Sequence, residues 1–575
     1  MNKQDSDRTD LDDSITRRKF LGTAALSGAA LLGGGLTSLV TRSVSAAGEF
    51  QFVEATIPEL QDAMASGQLT SARLVRDYLD RIYSLNPLLH SVIQTNPVAV
   101  CIAQQLDEER RNGHVRGPLH GIPVLVKDNI ATESEVCNGN EQMMQTTAGS
   151  LALVGSVVPG DAVIIRRLRN AGAVILGKTN LGEWANFRGS DVAYPLAVGW
   201  SARGGDTINA YNLSYTSWGS SSGSANGVAA NLCSVAVGTE TDGSITGPSA
   251  VENIVGLKPT LGLVSQQGII PISHQQDTAG PMGRSVTDVA ILLNVLKSPF
   301  GRVVGQPLPA DYTQFLRRGA LQGARIGRDV RYFDYNYYGS GIPGDQSSVG
   351  FAEHALDMMA ELGATIVDCD TGDVFAYTDD EFTALLYEFK AQIAAYLSTL
   401  TNTSMRTLAD LIRFNQVHCL RELVYYGQDI FELAEQTHGY PTNPLYVHAR
   451  MRAQFLARRG IDNALADHNL DAIVAPHLTN STGPAVAGYP NLSLPVGIRP
   501  PSGKPVGILM YSTFLREPKL IGLGYDLEQR MNVRMEPRFL GSVIPVPNAD
   551  LCDNRTEQGQ VFTGTANMPA HGRIW

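Results

Sequence analysis

The chain has 575 residues, of which 43% are hydrophobic and 18% are charged. This is an ordinary globular composition, so a disordered, collagen-like or multi-span membrane protein is excluded. The formal net charge of -11 argues against a nucleic-acid partner held by a basic surface. None of the 6 cysteines belongs to a Cys-x-x-Cys pair. They are interpreted as mostly buried thiols, with one or two disulfides left open for an exported protein.

Residues 1–46 are predicted to be an export signal. Arg17-Arg18 followed by Phe20-Leu21, ahead of an apolar stretch, is the pattern of a bacterial twin-arginine signal. Small residues at 44–46 offer a cleavage site near Ala46. An uncleaved membrane anchor is the alternative, but glycine and alanine dilute the apolar stretch. We therefore expect a periplasmic or secreted protein that contacts the twin-arginine export machinery transiently and has no stable membrane association.

Two predicted elements come first in the chain that remains after cleavage. Apolar residues within 74–83 recur at helical spacing behind Thr70, and this predicts a capped helix that ends before Pro87. Residues 122–126, Ile-Pro-Val-Leu-Val, form a short apolar run that is typical of a buried strand.

A second helix and a second strand follow. Asp161 is predicted to cap a helix that runs to Ala171 and is ended by Gly172. Residues 173–176 are predicted to form another buried strand. This alternation of helix and strand predicts an α/β domain built around a sheet.

Residues 204–249 are rich in glycine, serine and threonine, a composition that is also typical of a flexible linker. Apolar runs among these small residues favour packed structure instead. The polar residues 536–575 are predicted to form a surface tail, which leaves residues 47–535 as one domain. The remaining predicted elements are helices at 351–363 and 381–436 and strands at 472–475, 492–496 and 506–510.

Two short motifs match without the context that they need. Residues 172–179 fit the P-loop pattern, but the interior Ala-Val-Ile-Leu favours a buried strand over a flexible phosphate-binding loop. Residues 219–223 fit the nucleophile elbow of α/β-hydrolases, but residues 214–218 make a poor buried strand ahead of it. Neither nucleotide binding nor a serine–histidine hydrolase is therefore favoured.

A larger set of ordered motifs extends along residues 55–530. In chain order the principal ones are residues 120–129, 219–224, 238–245 and 256–260. Together they resemble the amidase signature family, which includes fatty acid amide hydrolase and the A subunit of the glutamyl-tRNA amidotransferase. The resemblance implies an α/β fold with one large mixed β-sheet flanked by helices on both faces. Residues 183–189 and 238–244 are most similar to bacterial peptide amidases, which release ammonia from the C-terminal carboxamide of peptides.

The resemblance also implies a catalytic triad. Carried over by position, Ser244 is the nucleophile, Ser220 is the bridging serine behind a cis peptide bond, and Lys127 is the base. The spacing of 24 residues from Ser220 to Ser244 fits the family pattern. Each residue alone has a plainer interpretation, as a salt-bridged surface lysine and two turn serines. Their joint occurrence in the family motifs favours the triad.

Such a triad depends on an uncharged lysine. A serine hydroxyl is a weak nucleophile that needs a neighbouring base, and a lysine with its reference pKa of about 10.4 is charged at neutral pH. Burial disfavours the ammonium form, and Lys127 follows the apolar run that would carry it inside. Asp128 would oppose this effect, but alternation along a strand points it to the opposite face.

The resemblance places the oxyanion hole just before the nucleophile. Backbone amides near Thr241, Asp242 and Gly243 would hold the oxyanion, and each such donor typically contributes about 2.7–4 kcal/mol. Many family members have glycine where this chain has Asp242, so its carboxylate is a candidate for shaping substrate choice. Two weaker candidates for substrate binding are Asn186, with a packing role as its alternative, and Trp218, which replaces a frequent glycine.

The sequence therefore predicts an exported amide hydrolase, without metal or cofactor, that acts on a small amide or a short peptide amide through an acyl-enzyme. A broader hydrolase of amides, esters or lipid amides and a non-catalytic binding protein on the same fold remain open. Membership in a tRNA-dependent amidotransferase complex is opposed by the export signal, the negative charge and Thr246, where many family members have arginine.

Overall fold

The computed structural model describes residues 50–189, 197–298, 302–303, 305–334, 346–476 and 479–544. The predicted export signal at residues 1–46 and residues 545–575 of the predicted tail lie outside the described residues. Within the described ranges, no helix combines the length and the apolar character that crossing a membrane requires.

Eleven strands of the described chain form one mixed sheet. In chain order they are β1 (Val92–Thr95), β2 (Pro123–Lys127), β3 (Val174–Thr179), β4 (Val235–Glu240), β5 (Val255–Lys258), β6 (Thr278–Gly283), β7 (Arg325–Asp329), β8 (Thr365–Cys369), β9 (Ala472–Pro476), β10 (Asn491–Arg499) and β11 (Lys504–Tyr511). Their order across the sheet is β1-β3-β2-β4-β6-β5-β10-β11-β9-β7-β8. Strands β3, β2 and β4 run parallel to one another, as do β9, β7 and β8, and the other neighbours are antiparallel.

The helices are numbered in chain order over the described residues. They are α1 (Ile57–Ala65), α2 (Ser71–Leu89), α3 (Ala99–Arg111), α4 (Val163–Asn170), α5 (Ser222–Ala229), α6 (Thr246–Val251), α7 (Val286–Leu296), α8 (Val330–Phe333), α9 (Gln346–Glu361), α10 (Thr378–Thr399), α11 (Leu408–Val417), α12 (Cys419–Glu422), α13 (Asp429–Glu435), α14 (Pro444–Asp467), α15 (Thr482–Ala487) and α16 (Glu517–Met531).

The sheet is covered on both faces near its middle. Every residue of β2 and of β4 is buried. Since successive side chains of a strand point to opposite faces, a strand buried throughout has packed neighbours on both sides. Helices α5, α6, α7 and α16 are among those in contact with the sheet. The predicted α/β fold with one large mixed sheet is confirmed.

Helix α2 begins where the sequence predicted and ends later. The Thr70 side chain accepts a hydrogen bond from the backbone N–H of Arg73, as expected of an N-cap. The helix does not stop before Pro87 but continues to Leu89, so that boundary was wrong. Proline lacks an N–H, and the carbonyl that it leaves without a helical partner belongs to Tyr83, whose side chain is 65% exposed. Water can satisfy that carbonyl at the surface.

The predicted cap of helix α4 was wrong as well. The N-cap position is Ala162, which makes no side-chain hydrogen bond. Asp161 instead accepts from the backbone N–H of Glu133 at 2.7 Å and pairs with Arg169 at 3.1 Å. The predicted end is right, since Gly172 follows the helix with a φ of 80°.

The other predicted elements are confirmed, apart from short irregular segments within 381–436. Residues 204–249 are packed structure, with helix α5 and strand β4 buried throughout. Residues 172–179 end in strand β3 and form no phosphate-binding loop. The strands predicted at 173–176, 472–475, 492–496 and 506–510 lie in β3, β9, β10 and β11, and the predicted helices lie in α9 to α13.

The cysteines depart from the interpretation as mostly buried thiols. Cys101 and Cys137 form a disulfide bond with their Cα atoms 6.1 Å apart, and Cys419 is also disulfide-bonded. Cys233 and Cys369 are the buried free thiols of the described chain.

Candidate active site

Lys127 is the last residue of β2, and its side chain is fully buried. Its Nζ lies 2.8 Å from Ser220 Oγ, 2.9 Å from Ser221 Oγ and 3.1 Å from the carbonyl oxygen of Thr239. The fold therefore brings the predicted base into contact with the predicted bridging serine, 93 residues away along the chain.

Burial determines the proton affinity of Lys127. It lowers the pKa well below the ordinary value of 10.5, and the negative charges of Glu240 and Asp277 offset this only in part. Two further lysines of the described chain are buried: Lys178, whose pKa burial lowers to about 7, and Lys258, whose pKa falls to about 8. Burial alone thus does not distinguish Lys127, whereas its contact with Ser220 does.

Asp128 does not neutralise this effect. Its Oδ2 accepts a hydrogen bond from Thr147 Oγ1 at 2.5 Å and lies 3.3 Å from Arg203 Nη1. The carboxylate is therefore engaged on the other side of the chain from the amine of Lys127, as alternation along the strand predicted.

The segment that carries Ser220 is fixed by its backbone. The peptide bond between Gly219 and Ser220 is cis, as the resemblance implied. The Ser220 carbonyl accepts from Gly182 N at 3.0 Å, and Ser221 N donates to the Ser244 carbonyl at 3.1 Å. The two predicted serines are therefore neighbours. In the part of the chain that the structure describes, their hydroxyls are not hydrogen-bonded to each other.

Ser244 lies on the turn between β4 and α6 and keeps 8% exposure, whereas Ser220 is fully buried. The amide nitrogens of residues 241–244 donate no hydrogen bond to any described residue, so they are available as donors. Gly243 has a φ of 75°, and a Cβ there would lie 3.0 Å from Ser481 Oγ. Glycine is required at this position by both its conformation and the close approach.

The carboxylate of Asp242 lies on the same turn. Thr482 Oγ1 donates to its Oδ2 at 2.6 Å. Burial raises the pKa of Asp242 to about 6, although this hydrogen bond opposes the rise. Burial also raises the pKa of Glu381 to about 8, and the negative charge of Asp242 adds to that rise. Two carboxyl groups of raised pKa therefore interact beside the turn.

Asn186 and Trp218 both lie beside the segment of Ser220. The Nδ2 of Asn186 would be 2.6 Å from a Cβ added to Gly219, so the amide packs directly against that backbone. Trp218 precedes Gly219, and its backbone N–H is held by Thr216 Oγ1 at 2.9 Å. Both side chains are partly exposed. A role in substrate binding stays a prediction for both residues.

A small, largely apolar pocket adjoins the turn. Thr239 and Thr241 belong to its lining, and residues 269–272 supply an apolar wall. Asp277, also in the lining, accepts a hydrogen bond from Thr241 Oγ1 at 2.6 Å. The three residues predicted to form the triad are not part of the lining.

Ser221 was missed by the sequence reasoning. Its hydroxyl contacts Lys127, donates to the Thr239 carbonyl at 3.0 Å and accepts from Thr239 N at 3.2 Å. The residue stands in the run of three serines at 220–222 that the motif contains. The run of serines does not show which hydroxyl contacts Lys127, because this depends on the path of the backbone between the cis peptide and the start of helix α5.

Comparison with known proteins agrees with the fold and the motifs. Residues 73–485 match the protein-family model described as Amidase. A probable amidase of Arabidopsis thaliana is 39% identical over 85% of this chain and 93% of its own length. A putative amidase of Schizosaccharomyces pombe is 36% identical over 84% of this chain and 87% of its own length.

A solved structure is similar at higher identity. The native peptide amidase of Stenotrophomonas maltophilia is 45% identical, covers 85% of this chain and 99% of its own, and superposes with a TM-score of 0.76. The chain belongs to the amidase family, as the motifs predicted. It is a hydrolase that acts on amide C–N bonds.

Proposed function

We propose that the enzyme hydrolyses a primary carboxamide, the C-terminal amide of a peptide or of an amino-acid amide, to a carboxylate and ammonia. The observation that carries the proposal is the 2.8 Å contact between Lys127 Nζ and Ser220 Oγ in a fully buried site. The choice of substrate is supported by the 45% identity to the peptide amidase of Stenotrophomonas maltophilia.

The hydrogen bonds around Lys127 support one direction of proton transfer. A neutral amine has two N–H donors and one lone pair. The Thr239 carbonyl can only accept, and Ser221 already donates its own hydrogen to that carbonyl at 3.0 Å. Both groups therefore accept from the amine, and the lone pair is left for the hydroxyl of Ser220. The oxygen of Ser220 can in turn accept the proton of Ser244.

The reaction then proceeds through an acyl-enzyme. As Ser244 Oγ attacks the amide carbonyl, its proton passes to Ser220 and the proton of Ser220 passes to Lys127. The amides of residues 241–243 hold the oxyanion. The proton returns by the same route to the amide nitrogen, the C–N bond breaks, ammonia leaves, and an ester remains on Ser244. Water, deprotonated by the same relay, cleaves that ester and frees the carboxylate.

A panel of substrates tests the proposed specificity. It contains C-terminally amidated dipeptides, free amino-acid amides, an aryl amide, a long-chain fatty amide, the matching methyl esters and unmodified peptides. Ammonia release should be fastest with the peptide amides or amino-acid amides. Cleavage confined to esters or internal peptide bonds would contradict the proposal, and preference for the fatty amide would favour a lipid-amide hydrolase.

The rate should depend on pH through Lys127. Because burial lowers the pKa of Lys127 well below 10.5, the neutral base is present at lower pH than for an exposed lysine. We expect kcat/KM to fall as pH drops through that lowered pKa. This fall on the acid side of the pH profile is called the acid limb below. An ammonium group ionises with a large enthalpy and a carboxyl group with almost none. The acid limb should therefore move to lower pH on warming, whereas an immobile limb would indicate a carboxyl group such as Asp277.

Export is part of the same proposal. The disulfide bond of Cys101 and Cys137 and the disulfide-bonded Cys419 support it, because such bonds persist in oxidising compartments. The double variant Arg17→Lys, Arg18→Lys should keep the full-length protein in the cytoplasm of a bacterial host, whereas the wild type should be recovered outside it without residues 1–46. Wild-type protein retained inside with those residues attached would contradict export.

A further inference from the structure

We propose that Glu240 is a positioning residue for the reaction: its carboxylate holds the turn that carries Ser244, and its charge acts on Lys127 from the end of the same strand. The inference rests on the proposed roles of Lys127 and Ser244. It adds a residue whose carboxylate is not hydrogen-bonded to Lys127, Ser220 or Ser244 in the described structure and acts through the elements that hold them.

The carboxylate closes the turn around the nucleophile. Glu240 is the last residue of β4 and is 1% exposed. Its Oε2 accepts from Ile245 N at 2.7 Å, from Thr246 N at 2.9 Å and from Thr246 Oγ1 at 3.1 Å. These are the first two backbone N–H groups after Ser244. One buried oxygen therefore ties the strand end to the start of α6, and the four residues between them, which include Ser244, form a closed loop.

The same strand end also holds Lys127. The carbonyl of Thr239, the residue before Glu240, accepts from Lys127 Nζ at 3.1 Å. Strand β4 thus contacts the base through a backbone oxygen and the nucleophile's turn through the adjacent side chain. Any shift of this strand end moves both partners together, so the distance between the base and the turn is kept by one element.

The charge of Glu240 acts on the base as well. Of the two charges that raise the pKa of Lys127 against burial, Glu240 has the larger effect and Asp277 the smaller. Asp277 is tied up by Thr241 Oγ1 and by the backbone N–H groups of Ile272 and Ser273. The other charged groups near Glu240 are Lys258 on β5 and Asp242 on the turn, which both interact with it.

Such a charge has a chemical purpose. A lysine with too low a pKa would be neutral but a weak base, and its conjugate acid would have to form at high cost during attack. The efficiency of general-base catalysis is greatest when the base has a pKa near the working pH. A carboxylate that is buried near the amine but does not bind it directly raises the pKa partway without fixing the ammonium in an ion pair.

The variant Glu240→Gln tests the charge, because it keeps the length and one acceptor oxygen. We expect the acid limb of kcat/KM to move to lower pH by about one unit, since the pKa of Lys127 falls when the negative charge is removed. Thr246→Val is the matched control: it removes one hydrogen bond to the same oxygen but no charge, so its acid limb should stay at the wild-type position. Thermal melts of both variants check folding.

The variant Glu240→Asp separates position from charge. It retains the carboxylate but draws it back from the turn by one methylene, so kcat should fall while the acid limb stays near that of the wild type. This variant also keeps the proposal testable if Glu240→Gln does not fold, because a shifted limb with unchanged kcat in Glu240→Asp would overturn it. An unshifted limb in a folded Glu240→Gln would overturn it too. If kcat/KM of the wild-type enzyme showed no acid limb at all, the proposed function itself would be contradicted.

Discussion

Replacing Lys127 by methionine is expected to lower kcat/KM for a peptide amide by about 10²–10⁴-fold, the usual contribution of a general base. Methionine has nearly the same length and fills the buried space, but it cannot accept the proton of Ser220. Initial rates of ammonia release, measured beside circular dichroism of the same samples, give the effect on activity and on folding separately.

Lys178→Met is the matched control, because Lys178 is also buried and burial lowers its pKa to about 7. Lys178 donates to the Ile130 carbonyl at 2.5 Å. This contact does not involve Ser220, so the variant should lose stability and keep rates within a few-fold of wild type. Near-normal activity of Lys127→Met would eliminate the relay.

Replacing Ser244 by alanine is expected to produce the largest loss, at least about 10⁴-fold in kcat, because no acyl-enzyme can form. Ser220→Ala should be nearly as severe, and the double variant should be no worse than Ser244→Ala alone, since groups that act as a unit are not additive. Ser222→Ala is the matched control: this serine is equally buried, but among the described residues its hydroxyl donates only to the Gly199 carbonyl, at 3.4 Å. A loss in Ser222→Ala as large as in Ser220→Ala would show that the segment is merely intolerant of change.

The parts of the fold that the sequence predicted are those with a strong local pattern. The apolar run at 122–126 has one stable environment, a buried strand, and this strand delivers Lys127 into the interior. The cap at Asp161 was wrong because its carboxylate instead accepts from Glu133 N, 28 residues earlier in the chain, and pairs with Arg169 of the same helix. N-cap propensity reflects how well a residue type caps a helix, but it contains no information about tertiary contacts that compete for the same side chain.

The candidate active site, like the fold, was predicted where a sequence motif identifies the residues and not where tertiary contacts decide. The ordered motifs named Lys127 and Ser220, and the structure brings them to 2.8 Å. The contacts of Ser221 and Glu240 were not predicted, because both depend on the path of backbone segments, one through a cis peptide and one around a tight turn. A motif identifies which residue types take part, whereas the direction of each hydrogen bond needs the coordinates.

Covalent labelling with a fluorophosphonate tests the central claim most directly, because the reagent reacts with a serine only when a base activates it. Intact-protein and peptide mass spectrometry should find one adduct, on Ser244, whose rate of formation falls by orders of magnitude in Lys127→Met but not in Lys178→Met. An adduct on another serine, no adduct at all, or equal labelling rates in Lys127→Met and wild type would contradict a lysine-driven relay to Ser244.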